Sequence, residues 1–192
     1  MCDDSFTILE HQERCENRLV AQLAELFSLR QGVTPKVAKQ IKISASLHDV
    51  GKQKIPENIL YSPGKLDKQE FEIMKTHTTL GAEILQNIQG ELGVMARKTA
   101  LYHHEWYNGK GYFGKPSGEL PVYVAITSIC DVFIALVSKR VYKSAWTLNE
   151  SLEYIQNQAG TQFDPKLVKG FVSLIRKEPR VSVIMGTESD AI

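Results

Sequence analysis

The sequence predicts an all-α protein, a helical bundle in a single domain spanning residues 1–192. Apolar residues recur at the spacing of an α-helix over much of the chain. Four helix-start signatures combine an N-cap residue with proline, or with an acid three positions later. Since no repeat or change of composition divides the 192 residues, we expect one folding unit.

The first half of the chain divides into five predicted helices. Apolar side chains among charged ones predict the first helix, from about 6 to 29. Thr34 as an N-cap and Pro35 at the first helical position start the second, which runs into "LHDVGK". A capping box of Asp67 and Glu70 starts the third, which leads to "KTH". The last two are predicted at about 79–89, ending near Gly90, and at about 92–105, ending in "YHHE".

A segment rich in glycine and proline, "WYNGKGYFGKPSGELP", begins the second half and predicts one long loop. Loops of this length in compact domains are often functional. The apolar stretch from about 121 to 138 predicts a buried helix, and capping signatures start two more at Thr147 and Asp164. Residues 178–192 form a predicted tail in which "VSVIMG" is a short strand or an ordered end.

The composition argues against several classes of function. Lys plus Arg is 23 and Asp plus Glu is 22, so no broad basic surface is available for a nucleic-acid polymer. The three cysteines are widely spaced and the N-terminus is unlike a signal peptide, as expected of a cytoplasmic protein. The stretch at 121–138 carries Thr127, Ser128 and Asp131, which favours a core helix over a membrane span.

The stretch "SASLHDVGKQKIP" at 44–56 permits two interpretations. Gly51 and Lys52 are typical of a helix C-terminus, where glycine ends the helix and lysine complements its dipole. Alternatively, His48 and Asp49 are metal ligands and Lys52 contacts a phosphate.

The remaining histidines favour the metal site. The chain has five histidines, of which two are adjacent, and at a helix end two adjacent rings can both reach a pocket. Asp131 lies among apolar residues, where its carboxylate needs either a metal or a cation such as Lys139 or Arg140. A mixed nitrogen and oxygen set suits Fe, Mn or Zn better than Mg or Ca. The candidate set is His48, Asp49, His77, His103, His104 and Asp131.

These motifs together resemble the HD-GYP family, bacterial signalling proteins within the HD superfamily of metal-dependent phosphohydrolases. The resemblance covers about residues 11–175 and implies an HD-type helical bundle. The matching segments, in chain order, are "HQER", "SLHDVGKQKIPENIL", "SPGKLDKQEFEIMKTH", "HHEWYNGKGYF", "ELP", "CDVFIALVSKRVYK" and "QFDPKLV".

The resemblance implies two divalent ions held by the six residues named above, with Asp49 bridging them. It also implies His11 as a further ligand that the family uses less uniformly. A glutamate that helps bind a third ion in some members is replaced by Thr7, so two ions are expected. Fe or Mn is the expected metal, and Zn, Ni and Mg remain open.

The implied activity is hydrolysis of cyclic di-GMP to pGpG or GMP by a metal-bridging hydroxide, with Asp49 and Lys52 as catalytic residues. Two other functions stay open. One is a signalling adaptor that binds metal and presents loop 106–119 to a partner protein. The other is a phosphohydrolase acting on another nucleotide or phosphate ester.

The sequence departs from the family pattern at positions that the family uses to bind its substrate. The Gly-Tyr-Pro tripeptide from which the family takes its name is Gly-Tyr-Phe here, ending at Phe113. Trp106 and Ala125 stand where the family pattern has arginines. Asn108 and Ile134 replace two acids. The candidate substrate contacts are therefore Lys52, Arg140, Tyr112 and Trp106. The sequence does not determine the oligomeric state.

Overall fold

The computed structural model describes residues 3–138 and 145–181, with side chains from residue 10 onward except at 117. The described chain is helical and contains no strand, which confirms the all-α prediction. Short 3-10 turns occur at Val50–Lys54, Leu85–Asn87 and Ser117–Glu119. The helices are α1 (Asp3–Arg30), α2 (Pro35–Ser46), α3 (Glu57–Leu60), α4 (Lys68–Lys75), α5 (His77–Ile84), α6 (Gly90–Tyr102), α7 (Val122–Val137), α8 (Leu148–Asn157) and α9 (Pro165–Lys177).

The predicted capping signals lie at the observed helix starts. Asp67 and Thr147 each accept a hydrogen bond from the backbone N–H three residues later, and both capping boxes are complete. Asp164 caps α9 with Pro165 at its first position. Thr34 precedes Pro35 as predicted, but its side chain makes no capping hydrogen bond.

Two predicted helix ends are wrong. Gly90 begins α6 instead of ending the preceding helix, and its φ of 76° reverses the chain there. The helix containing "SAS" ends at Ser46 with Leu47 as its C-cap, so the residues of "HDVGK" lie in a turn beyond it. Gly51 therefore does not cap α2.

Gly51 is required for a different reason, the close approach of two elements. A Cβ added there would lie 1.9 Å from the carbonyl oxygen of His77 and 2.5 Å from the backbone nitrogen of Gly81. Both contacts are to backbone, which cannot rotate away. The absence of a side chain at Gly51 thus lets the turn after α2 pack directly on α5.

The main core lies between α1, α2, α7, α8 and α9. Phe171 of α9 packs edge-on against Phe27 of α1 and Phe133 of α7, with ring centroids 5.2 Å and 5.3 Å away. A smaller cluster of Leu85, Ala96 and Ala100 packs the 3-10 turn that follows α5 against α6. The ends of α2, α5 and α6 are therefore held together beside the middle of α7.

None of the described helices combines the length and apolarity needed to cross a bilayer. Arg140 and Lys139 lie outside the described residues, as do residues 182–192 of the predicted tail.

Candidate metal centre

Side chains from four elements converge at the point where the helix ends meet α7. A residue just beyond a helix end is free of the 100° step between neighbours, so adjacent side chains can enter one cavity. Burial of these side chains ranges from complete for His48 to partial for Asp131, which is 22% exposed. The residues are His48 and Asp49 after α2, His77 at the start of α5, His103 and His104 after α6, and Asp131 within α7.

The converging donor atoms form two overlapping groups. Within each group, every donor atom lies within 4.8 Å of the others. His103 belongs to both groups, so the two groups adjoin each other. The first group is Asp49, His77, His103 and His104, and the second is His48, His103 and Asp131.

The Asp49 carboxylate lies between the two groups. Its Oδ2 is 3.2 Å from Nε2 of His48, and its Oδ1 is 3.4 Å from Nε2 of His77 and 3.6 Å from Nε2 of His103. The two oxygens therefore face different histidines, which is the placement that a bridging ligand needs.

Backbone carbonyls fix the orientation of three imidazole rings. Nδ1 of His48 lies 2.7 Å from the oxygen of Ala45, and Nδ1 of His77 lies 2.7 Å from that of Met74. Nδ1 of His103 lies 3.0 Å from the Ala100 oxygen. Because a carbonyl oxygen only accepts, each Nδ1 carries a proton, and each ring directs its Nε2 toward the centre. This is the usual outer support of metal-binding histidines.

Two buried polar atoms at the centre lack hydrogen bonds. Nε2 of His48 and Oδ1 of Asp49 are both inaccessible to solvent and make no hydrogen bond to any described residue. Buried polar atoms are nearly always paired, because leaving one unpaired costs about 1–3 kcal/mol. Their donor types fit a divalent transition metal. The cluster is thus suited to binding divalent metal.

The carboxylates dominate the electrostatics of the second group. Burial alone would lower the pKa of His48, but Asp49 and Asp131 raise it to about 10. Burial would raise the pKa of Asp49, yet His48 and Lys52 hold it well below its usual range. Likewise, the imidazole of His48, whose Nε2 lies 3.5 Å from Oδ1 of Asp131, outweighs burial and lowers the pKa of Asp131. The site therefore favours bound positive charge.

The rings of His77 and His104 are held neutral. Burial, followed by the nearby His103, lowers the pKa of His77 to about 4. The same two causes hold the pKa of His104 well below its ordinary value. Neutral imidazole is the form that binds metal.

Lys52 lies beside the cluster in the 3-10 turn. Its Nζ is 2.7 Å from Oδ2 of Asp49 and 3.7 Å from Oε1 of Glu13. Burial would lower the pKa of Lys52, but Asp49 and Glu13 outweigh it and raise that pKa. The ammonium group therefore stays charged at the edge of the cluster.

A pocket of about 330 Å³ opens onto the cluster and Lys52. Its lining includes Asp49, His104 and Asp131 of the cluster and the apolar residues Val132, Ala135 and Leu136 of α7. The rest of the described lining comes from α1 and from Tyr154 of α8. The α1 residues are Glu13, Glu16 and Asn17.

The sequence analysis missed this α1 face and named His11 instead. The structure leaves His11 exposed, with its Nδ1 3.7 Å from Sγ of Cys15, and does not gather it with the cluster. His11 lies two residues before Glu13, which turns it about 200° around the helix. The sequence did contain a signal that could have identified Glu13. The apolar residues Val20, Leu23 and Phe27 recur at helical spacing, and the same spacing extends back to Glu13, so all four lie on one face of α1.

The loop residues predicted to meet substrate lie in different places. Tyr112 packs on His104, with ring centroids 4.7 Å apart, and burial followed by Asp49 raises its pKa to about 12. Trp106, in contrast, lines a separate small cavity of about 20 Å³ with Ala125 and Phe163. The structure therefore brings Tyr112, but not Trp106, to the cluster.

Comparisons with known proteins agree with this arrangement. The sequence profile of the HD domain matches residues 3–167. The 3'3'-cGAMP-specific phosphodiesterase 2 of Vibrio cholerae is 42% identical over 78% of this chain and 29% of its own length. The cyclic di-GMP phosphodiesterase response regulator RpfG of Xanthomonas campestris is 37% identical over 90% of this chain and 45% of its own. This chain thus spans less than half of either relative.

Solved structures share the fold at low sequence identity. An HDG"Y"P protein from Bdellovibrio bacteriovorus superposes with a TM-score of 0.68 at 16% identity, over 84% of this chain and 51% of that one. The HD domain of the phosphodiesterase PgpH of L. monocytogenes, solved with cyclic-di-AMP, gives a TM-score of 0.62 at 19% identity. That match covers 94% of this chain and 93% of the PgpH chain. With the profile match over most of its length, this chain belongs to the HD domain family.

Proposed function

We propose that this protein is a metal-dependent phosphodiesterase that hydrolyses a cyclic dinucleotide, with cyclic di-GMP as the preferred candidate substrate. The observation that carries the proposal is the double cluster centred on Asp49, which opens into a pocket beside the charged Lys52. The relatives named as cyclic di-GMP and 3'3'-cGAMP phosphodiesterases support the substrate class. We also place the protein in the cytoplasm, where these messengers act.

The residues present fit two divalent ions. Asp49, His77, His103 and His104 would hold one, and the group containing His48 and Asp131 the other, with Asp49 between them. Imidazole nitrogens mixed with carboxylate oxygens favour Fe or Mn, and Zn, Ni or Mg remain alternatives. When bound, such ions acidify water and offset charge on phosphoryl oxygens.

The chain's own residues contribute binding, orientation and charge. Lys52 is placed to donate to a phosphate oxygen and stabilise negative charge that grows there during hydrolysis. The carbonyl partners of His48 and His77 prevent their rings from turning. The described lining residues of the pocket include no serine, threonine or cysteine, which supports our proposal that water is the attacking group. The apolar side around Val132 offers contact area to a base or ribose.

A signalling adaptor is a second candidate because two aromatic side chains near Tyr112 are exposed. Phe71, whose ring meets Tyr112 edge-on, and Phe113, the residue after Tyr112, are each 45% exposed. Exposed apolar surfaces mark contact sites. A partner protein would then bind at loop 106–119.

The experiment is anaerobic reconstitution with Fe or Mn, followed by chromatography of products from cyclic di-GMP and 3'3'-cGAMP. We expect pGpG or GMP from the first, with activity lost by at least about 100-fold in Asp49→Ala. Glu119→Gln, a change of one exposed loop carboxylate, is the matched control and should retain full activity. Metal content is measured on every sample.

Two results would oppose the proposal. Full metal occupancy without turnover of either dinucleotide would favour the adaptor or another phosphate substrate. Turnover that persists after chelation and dialysis would contradict the metal dependence.

A further inference from the structure

We propose that Glu105 is a positioning residue: it anchors the glycine-rich loop to the histidine pair and thereby holds Tyr112 against His104. The consequence for turnover rests on the proposed function, whereas the consequence for metal binding does not. Glu105 directly follows His104 in sequence but lies outside both groups of candidate ligands.

Both oxygens of Glu105 are engaged by loop backbone. Oε1 accepts a hydrogen bond of 2.6 Å from the backbone N–H of Phe113, and Oε2 accepts one of 2.7 Å from that of Lys115. The residue is only 5% exposed, so these charge-assisted bonds must compensate for burying the carboxylate. Glu105 therefore binds the loop through both oxygens, and it is not among the candidate metal ligands.

Gly111 allows the loop to come this close. A Cβ at Gly111 would lie 2.4 Å from Cα of Glu105 and 2.6 Å from the carbonyl oxygen of His104. Both contacts are to the backbone next to the histidine pair, which has no rotamer to relieve them. The loop is thus fixed from two independent sides, by the Glu105 carboxylate and by the missing side chain at Gly111.

The anchored segment places Tyr112 as a wall on the cluster. Its ring packs on His104 at 4.7 Å with an angle of 37° between the planes. Phe71 of α4 meets Tyr112 edge-on at 6.2 Å, and Nζ of Lys75 lies 5.4 Å from its ring centre. His48, His77 and His103 each have an Nδ1 hydrogen-bonded to a backbone carbonyl oxygen. Among the described residues, no carbonyl oxygen makes such a bond to His104. Packing of Tyr112 supplies that support instead.

The coupling follows from chain connectivity. Residues 104 and 105 are adjacent, and the Phe113 N–H that Glu105 binds belongs to the peptide group that joins Tyr112 to Phe113. The second bond, from the N–H of Lys115, holds the loop two residues further on. A change in how Glu105 holds the loop must therefore alter the contact between Tyr112 and His104. We infer that Glu105 sets the orientation of His104 through the loop.

The test uses Glu105→Gln and Gly111→Ala in the full chain. Glutamine keeps the size of glutamate but replaces one acceptor oxygen by a donor, so one loop N–H loses its bond. Alanine at 111 pushes the loop away from the other side. Glu119→Gln and Gly118→Ala are matched controls in the same loop, since Glu119 is exposed and a Cβ at Gly118 meets nothing within 4 Å.

Two measurements are made on metal-free protein and during titration with Mn²⁺. Amide hydrogen exchange follows the N–H groups of Phe113 and Lys115, and the electron paramagnetic resonance signal of free Mn²⁺ gives affinity and stoichiometry. We expect faster exchange and roughly 10-fold weaker binding at one of two sites in both variants, as for the loss of an outer-shell support. The controls should match the wild type.

The outcomes separate this inference from the proposed function. Wild-type Mn²⁺ affinity in both Glu105→Gln and Gly111→Ala would overturn the positioning role, as would unchanged exchange at 113 and 115. If the wild type binds Mn²⁺ but does not cleave cyclic dinucleotides, only the proposed function fails. Loss of affinity in both loop variants would still establish the positioning role.

Discussion

Replacing Gly51 by alanine should destabilise the protein and disturb the metal centre together. The new Cβ would lie 1.9 Å from the carbonyl oxygen of His77 and 2.5 Å from the nitrogen of Gly81. Overpacking of this kind costs about 1–3 kcal/mol. Alanine also reduces the conformational entropy of the unfolded chain, which offsets about 0.4–1 kcal/mol of this destabilisation. We therefore expect a net loss of about 1–2 kcal/mol.

The assay is thermal unfolding of metal-free protein followed by circular dichroism. At roughly 2–4 °C per kcal/mol for a chain of this size, the Tm of Gly51→Ala should fall by roughly 2–8 °C. Gly64→Ala is the matched control, because a Cβ at Gly64 meets nothing within 4 Å. If the two variants unfold at the same temperature, the close packing of the turn after α2 on α5 is refuted.

The same substitution should weaken metal binding. The atom displaced belongs to His77, whose Nε2 lies 3.4 Å from Oδ1 of Asp49. Calorimetric titration with Mn²⁺ would detect the change. Wild-type affinity in a destabilised Gly51→Ala would mean that the backbone relaxes without moving His77.

Two further predictions concern features away from the metal centre. Thr147→Ala removes the cap of α8 and should cost about 1 kcal/mol in urea unfolding, whereas no loss would contradict the capping role. Hydrogen bonds from Arg180 and Arg30 lower the pKa of Glu178 from 4.5 to about 2, so its contribution to stability is complete above pH 4.5 and is lost as the pH falls toward 2. Glu178→Gln should therefore unfold more easily than wild type at pH 6, and the difference should shrink by pH 3; a constant difference would exclude the carboxylate as its cause.

Local signals were sufficient for the helix starts that carry a capping residue and for the types of candidate ligand. Capping boxes and N-terminal prolines depend on residues within one turn, so Asp67, Thr147 and Asp164 were placed correctly. The assignment failed at Gly90, where a glycine with positive φ serves equally to end one helix or to start the next.

Long-range placement could not be predicted in the same way. His11 and Glu13 are both plausible ligands or contacts by residue type, and only the docking of α1 decides that Glu13 faces the pocket. Trp106 and Tyr112 are both loop aromatics, yet only Tyr112 packs on the histidine pair. These outcomes depend on the azimuth of a helix and the path of a loop, which neighbouring elements set.

The sequence by itself determined the chemistry available: an all-α chain with one aspartate and histidine pair, one histidine pair and an acid within an apolar helix. Tertiary structure decided which of these groups meet, because convergence requires contacts between residues distant in the chain. It also assigned two groups their roles, since close backbone approach explains Gly51 and buried hydrogen bonds explain Glu105. Those roles arise from space and solvation, which residue order alone does not specify.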